Sequence, residues 1–144
     1  MTDQANLLAQ FSNALAARAE AAKNAVVAIR LAHGRHMTGM VWRSEIVIAS
    51  EQSLPRKDDF ELVAAGGSVL TAKIAGRDPS TNIAVLRLAE SIASPSISAG
   101  EAHTGAIALA IGADGTGGAS ARSSGRCRGF RPSAGGSSTG ASRS

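Results

Sequence analysis

Aromatic residues are almost missing from this sequence. They make up 3% of its 144 residues, and there is no tyrosine. Any hydrophobic core must therefore be built mainly from Ala, Val, Ile and Leu. Cysteine occurs once, as Cys127, which excludes an internal disulfide framework and fits a reducing compartment. A chain of this length has room for one domain with a modest core.

Targeting and membrane-spanning signals are also missing. The first positive charge is Arg18, so the N-terminus lacks the basic region of a secretory signal peptide. No apolar run approaches the roughly 20 residues that cross a bilayer as a helix. We therefore expect a cytoplasmic protein that does not bind membranes.

The net charge of +4 is concentrated at the C-terminus. Residues 113–144 contain five arginines and one acidic residue, so the preceding residues are close to neutral. The same 32 residues include eight Gly and eight Ser but no Leu, Ile or Val. Because this composition buries too little apolar area to offset the entropy of ordering, it predicts a disordered tail. Its one aromatic residue, Phe130, does not provide the stacking surface of a nucleic-acid-binding segment, so we expect no nucleic-acid partner.

Residues 1–23 predict an amphipathic helix. Apolar side chains recur there mostly at i, i+4 spacing, at Leu7, Leu8, Phe11, Leu15, Ala19 and Ala22. Two interpretations of this stripe are open. The helix packs on its own domain, or it binds a partner.

The hydrophobic period changes to that of strands over residues 24–112. The predicted strands are AVVAIRLA (25–32), HMTGMVWR (36–43), EIVIAS (45–50), FELVAA (60–65), SVLTAKIAG (68–76), NIAVLRLA (82–89) and AIALAIG (106–112). The pair Gly66-Gly67 predicts a hairpin between the fourth and fifth of them. Short strands separated by glycine and proline turns are typical of an antiparallel barrel or sandwich, so the predicted fold class is mainly β.

Cofactor and metal motifs are not found in the sequence. His33 and His36 flank a turn, and neither they nor His103 and Cys127 have the spacing of a metal site. The stretch GADGTGG (112–118) lacks the Lys-Ser/Thr pair of a phosphate-binding loop. We expect no cofactor, no metal and no small-molecule substrate.

Three stretches in a fixed order resemble the N-terminal half of trypsin-like serine proteases, most closely the HtrA/Deg branch. TGMVWRSEIVIASEQSL (38–54) is similar to the hairpin and the segment that carry the catalytic histidine in that family. GRDPSTNIAVLRL (76–88) resembles Gly-x-Asp-Pro-x-Thr-Asp-Leu-Ala-Val-Leu-Lys, whose second Asp is the catalytic aspartate. GAIALAIG (105–112) is similar to a strand that closes the first barrel. The resemblance covers residues 24–112 and implies a single trypsin-like first β-barrel.

The resemblance places the catalytic histidine at Gln52 and the catalytic aspartate at Asn82. Both positions depart from the family pattern. A glutamine amide has no basic nitrogen near neutral pH, so Gln52 cannot take a proton from a nucleophile. Asn82 could not hold a histidine in the required tautomer, a change that lowers turnover about 10⁴-fold in the best-studied serine protease.

The nucleophile of this family lies in a Gly-Asn-Ser-Gly-Gly loop of a second barrel. The nearest similar stretch here is AGGSSTG (134–140), where Ser137 and Ser138 lack flanking strands. We therefore expect no catalytic residue and no enzymatic activity, and at most a binding or assembly role with a protein partner or a second copy. The alternatives are one half of an endopeptidase that needs a second barrel, and a frameshifted gene remnant.

Overall fold

A computed structural model of the protein describes residues 2–101 and 103–124. The helix α1 spans Thr2–Ala22, and eight strands follow it. The strands are β1 (Val26–Arg30), β2 (His36–Arg43), β3 (Ile46–Ser50), β4 (Asp59–Val63), β5 (Val69–Asp78), β6 (Ile83–Leu88), β7 (Ala108–Ala113) and β8 (Ala119–Ser124). The mainly β fold class and all seven predicted strands are confirmed, with ends that shift by at most two residues.

Six of these strands form a closed antiparallel barrel in the order β1-β2-β3-β6-β5-β4. The barrel closes where β1 pairs with β4, with Ala28 opposite Val63 and Ile29 opposite Leu62. The predicted hairpin at Gly66-Gly67 is confirmed, since Val63 lies opposite Val69 and both glycines have a positive φ. That conformation is open to glycine without steric strain.

The interior of the barrel is aliphatic apart from Phe60. Its least exposed large side chains come from five different strands and are Val27, Ile29, Val41, Val47, Leu62 and Leu86. Gly39 lies among them on β2, where a Cβ atom would come within 2.7 Å of Cγ1 of Val47. Glycine at this position lets the barrel wall approach its own core more closely than any side chain would allow.

The seventh strand lies outside the barrel. The resemblance suggested that AIALAIG helps to close the barrel, but β7 pairs with β8 in a separate two-stranded sheet. The barrel has no free strand edge with which β7 could pair, because β1 is already paired with β4. Hydrogen bonds hold β7 on β2: Ala113 N donates to Thr38 Oγ1 at 3.0 Å, and His36 Nε2 donates to Ala113 O at 3.2 Å.

The strand β8 falls within residues 113–144, for which the composition predicts disorder. Asp114 explains how such a polar segment forms a hairpin, because its carboxylate accepts from Thr116 N at 2.8 Å and from Gly118 N at 2.9 Å. These bonds, that from Thr116 N foremost, hold the Asp114 pKa below its ordinary value. The predicted boundary at Gly112 therefore falls inside a hairpin that continues to Ser124. Residues 125–144 lie outside the described part of the chain.

The helix α1 packs on the barrel only near its C-terminal end. None of its residues is buried, and only Leu15, Ala19 and Ala22 are half-buried. Leu7, Leu8 and Phe11 are 66%, 69% and 48% exposed. The helix therefore packs on its own domain through its C-terminal part, while Leu7, Leu8 and Phe11 of the same stripe stay exposed. No helix in the described residues is long and apolar enough to cross a membrane.

Candidate functional site

Gln52 and Asn82, the two positions that the resemblance assigns to a catalytic pair, lie side by side. Gln52 lies in a 3₁₀ turn that follows β3, and Asn82 directly precedes β6. The strands β3 and β6 are antiparallel neighbours with Ser50 opposite Ile83. Because antiparallel pairing brings the end of β3 to the start of β6, the two turns meet at one edge of the barrel.

The side chain of Asn82 joins the two turns. Its Oδ1 accepts from the backbone N–H of Gln52 at 2.9 Å and from the hydroxyl of Ser50 at 3.0 Å. The backbone carbonyl of Asn82 accepts from Glu51 N at 3.2 Å. Since a backbone N–H can only donate, the oxygen of the amide and not its nitrogen must face Gln52.

The backbone of Asn82 has a φ of +57°. Asparagine is one of the few residues other than glycine that adopt this left-handed conformation readily. Upstream of it, Asp78 fixes the turn by accepting from Ser80 N at 2.9 Å, Ser80 Oγ at 2.6 Å and Thr81 Oγ1 at 2.7 Å. These bonds lower the pKa of Asp78, and the largest contribution comes from the Ser80 hydroxyl.

A buried ion pair lies directly behind this junction. Glu51 is 6% exposed and Arg77 is 15% exposed, and Oε1 of Glu51 lies 3.6 Å from a guanidinium nitrogen of Arg77. The same guanidinium donates to the carbonyl of Pro55 at 2.6 Å and to that of Leu54 at 3.4 Å. Arg77 therefore ties the loop after Gln52 to β5.

Sequence reasoning did not assign a role to Ser50, Glu51 or Arg77. Arg77 lies inside the stretch matched to the family, but no spacing rule connects it to an acidic residue in another turn. One signal of the ion pair was present in the sequence. Glu51 directly follows an apolar strand, and a charged side chain that is buried at such a position needs a partner of opposite charge.

An apolar groove opens beside the Ser50–Asn82 junction. It has a volume of about 800 Å³, within the range of sites that hold a ligand or several side chains. Its floor is the outer face of β2, β3 and β6, and its walls come from β7, the segment 95–98 and the end of α1. Its large apolar side chains are Met40, Ile48, Ile83, Ile97, Leu109 and Ile111. Arg18 is the one charged residue among those that line it.

The side chains of Gln52 and Asn82 can form hydrogen bonds but cannot take up a proton near neutral pH, because both are neutral amides. Within residues 2–101 and 103–124, no three His, Cys, Asp or Glu side chains cluster as metal ligands would. Ser137 and Ser138 of the AGGSSTG stretch, like Cys127, lie outside the described residues.

A scan against protein families finds no match, and a comparison with characterised protein sequences finds none either. Any relationship to a family therefore depends on the motifs and on the geometry described above.

Proposed function

We propose that this chain is a proteolytically inactive homologue of the trypsin-like serine proteases, of the HtrA/Deg type, which corresponds to their first barrel. The observation that carries the proposal is the 2.9 Å hydrogen bond between Gln52 N and Asn82 Oδ1. In a serine protease the histidine and the aspartate must be hydrogen-bonded neighbours. The two positions assigned here from sequence motifs alone are also hydrogen-bonded neighbours, through the backbone N–H of Gln52 and the side chain of Asn82, on a closed antiparallel barrel.

Both residues of the proposed pair lack the chemistry that proteolysis needs. A general base must take the proton of the nucleophile and return it to the leaving group, and the amide of Gln52 does neither. A separately encoded second barrel could supply a serine, but it could not replace the base that belongs to the first barrel. The proposal therefore disfavours the half-enzyme alternative.

What the geometry retains is a surface for binding. Asn82, Ser50 and the turn of Gln52 are held rigidly at one end of the apolar groove. In the proteases that the sequence resembles, the first barrel packs its inner flank against the second barrel, and the active site forms in that seam. We propose that the groove is the corresponding flank and that its remaining role is to bind a protein.

The double variant Gln52→His plus Asn82→Asp is expected to hydrolyse neither casein nor a fluorogenic peptide. It restores the two residue types but supplies no nucleophile and no oxyanion site, both of which the mechanism requires. The rates of the natural chain and the variant should equal the buffer blank, while an active trypsin-like protease serves as the positive control. Hydrolysis that appears with the double variant and depends on both substitutions would overturn the proposal.

A further inference from the structure

The strand β7 has two edges, and only one of them is paired with another strand. Along that edge β7 pairs with β8 over its whole length. In the part of the chain that the structure describes, no strand pairs with the opposite edge, which we call the free edge of β7. The backbone N–H and C=O groups of an unpaired strand edge are a template for a further extended chain.

The hydrogen bonds around β7 show which of its residues face the free edge. In an antiparallel pair, every second residue directs its N–H and C=O towards the partner strand, and the residues between them direct theirs away. Asp114, directly after β7, faces β8, because its N–H donates to Gly118 O at 3.1 Å. Ala113 faces the other way, because its N–H and C=O bond to Thr38 and His36 of β2.

The same alternation places the N–H and C=O groups of Leu109 and Ile111 on the free edge. Both residues also line the apolar groove. The backbone groups of Ala113 are already bonded to β2, so the open part of the edge offers two N–H donors and two C=O acceptors. The apolar groove therefore combines apolar side chains with a row of backbone hydrogen-bonding groups.

We propose that the apolar groove binds an extended, unstructured segment of another protein, which adds to β7 as a further strand beside Leu109 and Ile111. The inference rests on the binding role proposed above, and it names the kind of partner that the groove receives. In this mode of recognition the main-chain hydrogen bonds supply affinity, and the contacts of alternate side chains supply specificity.

The groove selects apolar side chains at every second position of the bound segment. The side chains of Leu109 and Ile111 line the groove, and directly opposite residues of neighbouring strands direct their side chains to the same face. Every second side chain of the added strand therefore points into the groove, where Met40, Ile83 and Ile97 are 36%, 41% and 47% exposed. Contiguous apolar surface of this kind usually marks an interaction site.

The charge of the groove favours a segment with an acidic residue over a segment with a basic one. Arg18 is the one charged residue among those that line the groove, so it attracts a carboxylate and repels a second cation. Residues 125–144 of the same chain include four arginines and no Leu, Ile or Val. They fit the groove poorly in both charge and apolar character, which favours a segment of another protein.

The first test titrates the blocked hexapeptide acetyl-Thr-Val-Thr-Val-Glu-Val-amide into the isotope-labelled full chain, followed by nuclear magnetic resonance. The peptide should shift the amide signals of Leu109 and Ile111 and slow their hydrogen exchange, because it accepts from both N–H groups. Ala110 and Gly112 are the matched internal controls. Their amides face β8, so their exchange should change little.

N-methylated peptides test the pairing without any change to the protein. Every second amide of an added strand faces β7, and the amides between them face away. Methylation of the two facing amides should weaken binding about 30-fold, since each of the two lost hydrogen bonds is expected to cost about fivefold. Methylation of the two intervening amides should have little effect. Equal weakening by both sets would contradict pairing with a strand edge.

Two variants test the same contacts from the protein side. Ile111→Pro removes the N–H from the free edge but none of the donors to β8, and proline is tolerated at such an edge position. It should weaken peptide binding about fivefold relative to Ile111→Val, which keeps the N–H. Circular dichroism of both variants checks that the fold is retained. Arg18→Glu should weaken binding of the Glu peptide and strengthen binding of the same peptide with Lys in place of Glu.

Four outcomes would overturn the inference. One is an absence of binding at millimolar peptide, and another is binding that shifts Met40 and Ile83 but neither Leu109 nor Ile111. The third and fourth are slow exchange of the latter two amides in the free chain. If dilution speeds it, a second copy occupies the edge, and if it does not, the chain covers its own edge.

These outcomes are separate from a failure of the proposed function. Binding that shifts Met40 and Ile83 alone would leave the groove as a protein-binding surface and remove only the pairing with β7. Hydrolysis by the double variant at positions 52 and 82 would overturn the absence of protease activity, whatever the peptide does at the free edge.

Discussion

Arg77→Met is expected to lower the free energy of unfolding by about 3–5 kcal/mol, the usual loss when one partner of a buried ion pair is removed. Methionine keeps the apolar stem of the side chain but leaves the Glu51 carboxylate buried at 6% exposure without its close partner. Arg56, 3.8 Å from the same carboxylate, is 81% exposed and compensates only weakly. In a domain of about 100 residues, such a loss lowers the melting temperature by at least about 12 °C.

The matched control is the double variant Glu51→Gln plus Arg77→Met. It removes both charges, so no unpaired charge stays buried, and it should be more stable than Arg77→Met alone. Chemical denaturation of the natural chain, Glu51→Gln, Arg77→Met and the double variant gives the coupling free energy between the two residues. If Arg77→Met and Arg56→Met had equally small effects, the ion pair would not hold the loop that carries Gln52.

Asn82→Ala is expected to destabilise the protein by about 2–5 kcal/mol, for two reasons. The variant removes the acceptor shared by Ser50 Oγ and Gln52 N, and a lost acceptor of this kind costs about 1–3 kcal/mol. It also places an alanine at a φ of +57°, which costs about 1–2 kcal/mol. Thermal unfolding followed by circular dichroism measures the sum.

Two substitutions at Asn82 separate these contributions. Asn82→Gly removes the hydrogen bonds but tolerates the left-handed backbone, so it should be more stable than Asn82→Ala by about 1 kcal/mol. Asn82→Asp keeps an oxygen acceptor in place and should unfold close to the natural chain at neutral pH. Equal stability of the alanine, glycine and natural chains would mean that Asn82 does not join the two turns.

The barrel was predictable because most of its strands alternate between inward and outward residues. In β6, for example, Ala84, Leu86 and Leu88 are buried, while Ile83 and Arg87 face outward. The hairpin at Gly66-Gly67 followed from local turn chemistry in the same way. The motifs also placed Gln52 and Asn82 in turns that meet, although no local pattern relates residues so far apart in sequence.

The remaining features depend on contacts that sequence patterns do not encode. The stripe on α1 shows that one face is apolar, but not whether the chain geometry lets that face reach the barrel. β8 consists of Ala, Ser and Arg and so has almost no hydrophobic signal; backbone pairing with β7 and the turn at Asp114 form it. The pair of Glu51 and Arg77 joins two turns through a tertiary contact, and no periodicity reports such a contact.

The measurement that tests the central proposal most directly is the intact mass of the full chain after incubation with a serine-directed fluorophosphonate. An activated serine needs a base within hydrogen-bond reach, and neither Gln52 nor Asn82 provides one. The account predicts an unchanged mass under conditions that label an active trypsin-like protease completely. One stoichiometric adduct on a single serine, Ser137 and Ser138 included, that disappears after heat denaturation would contradict it.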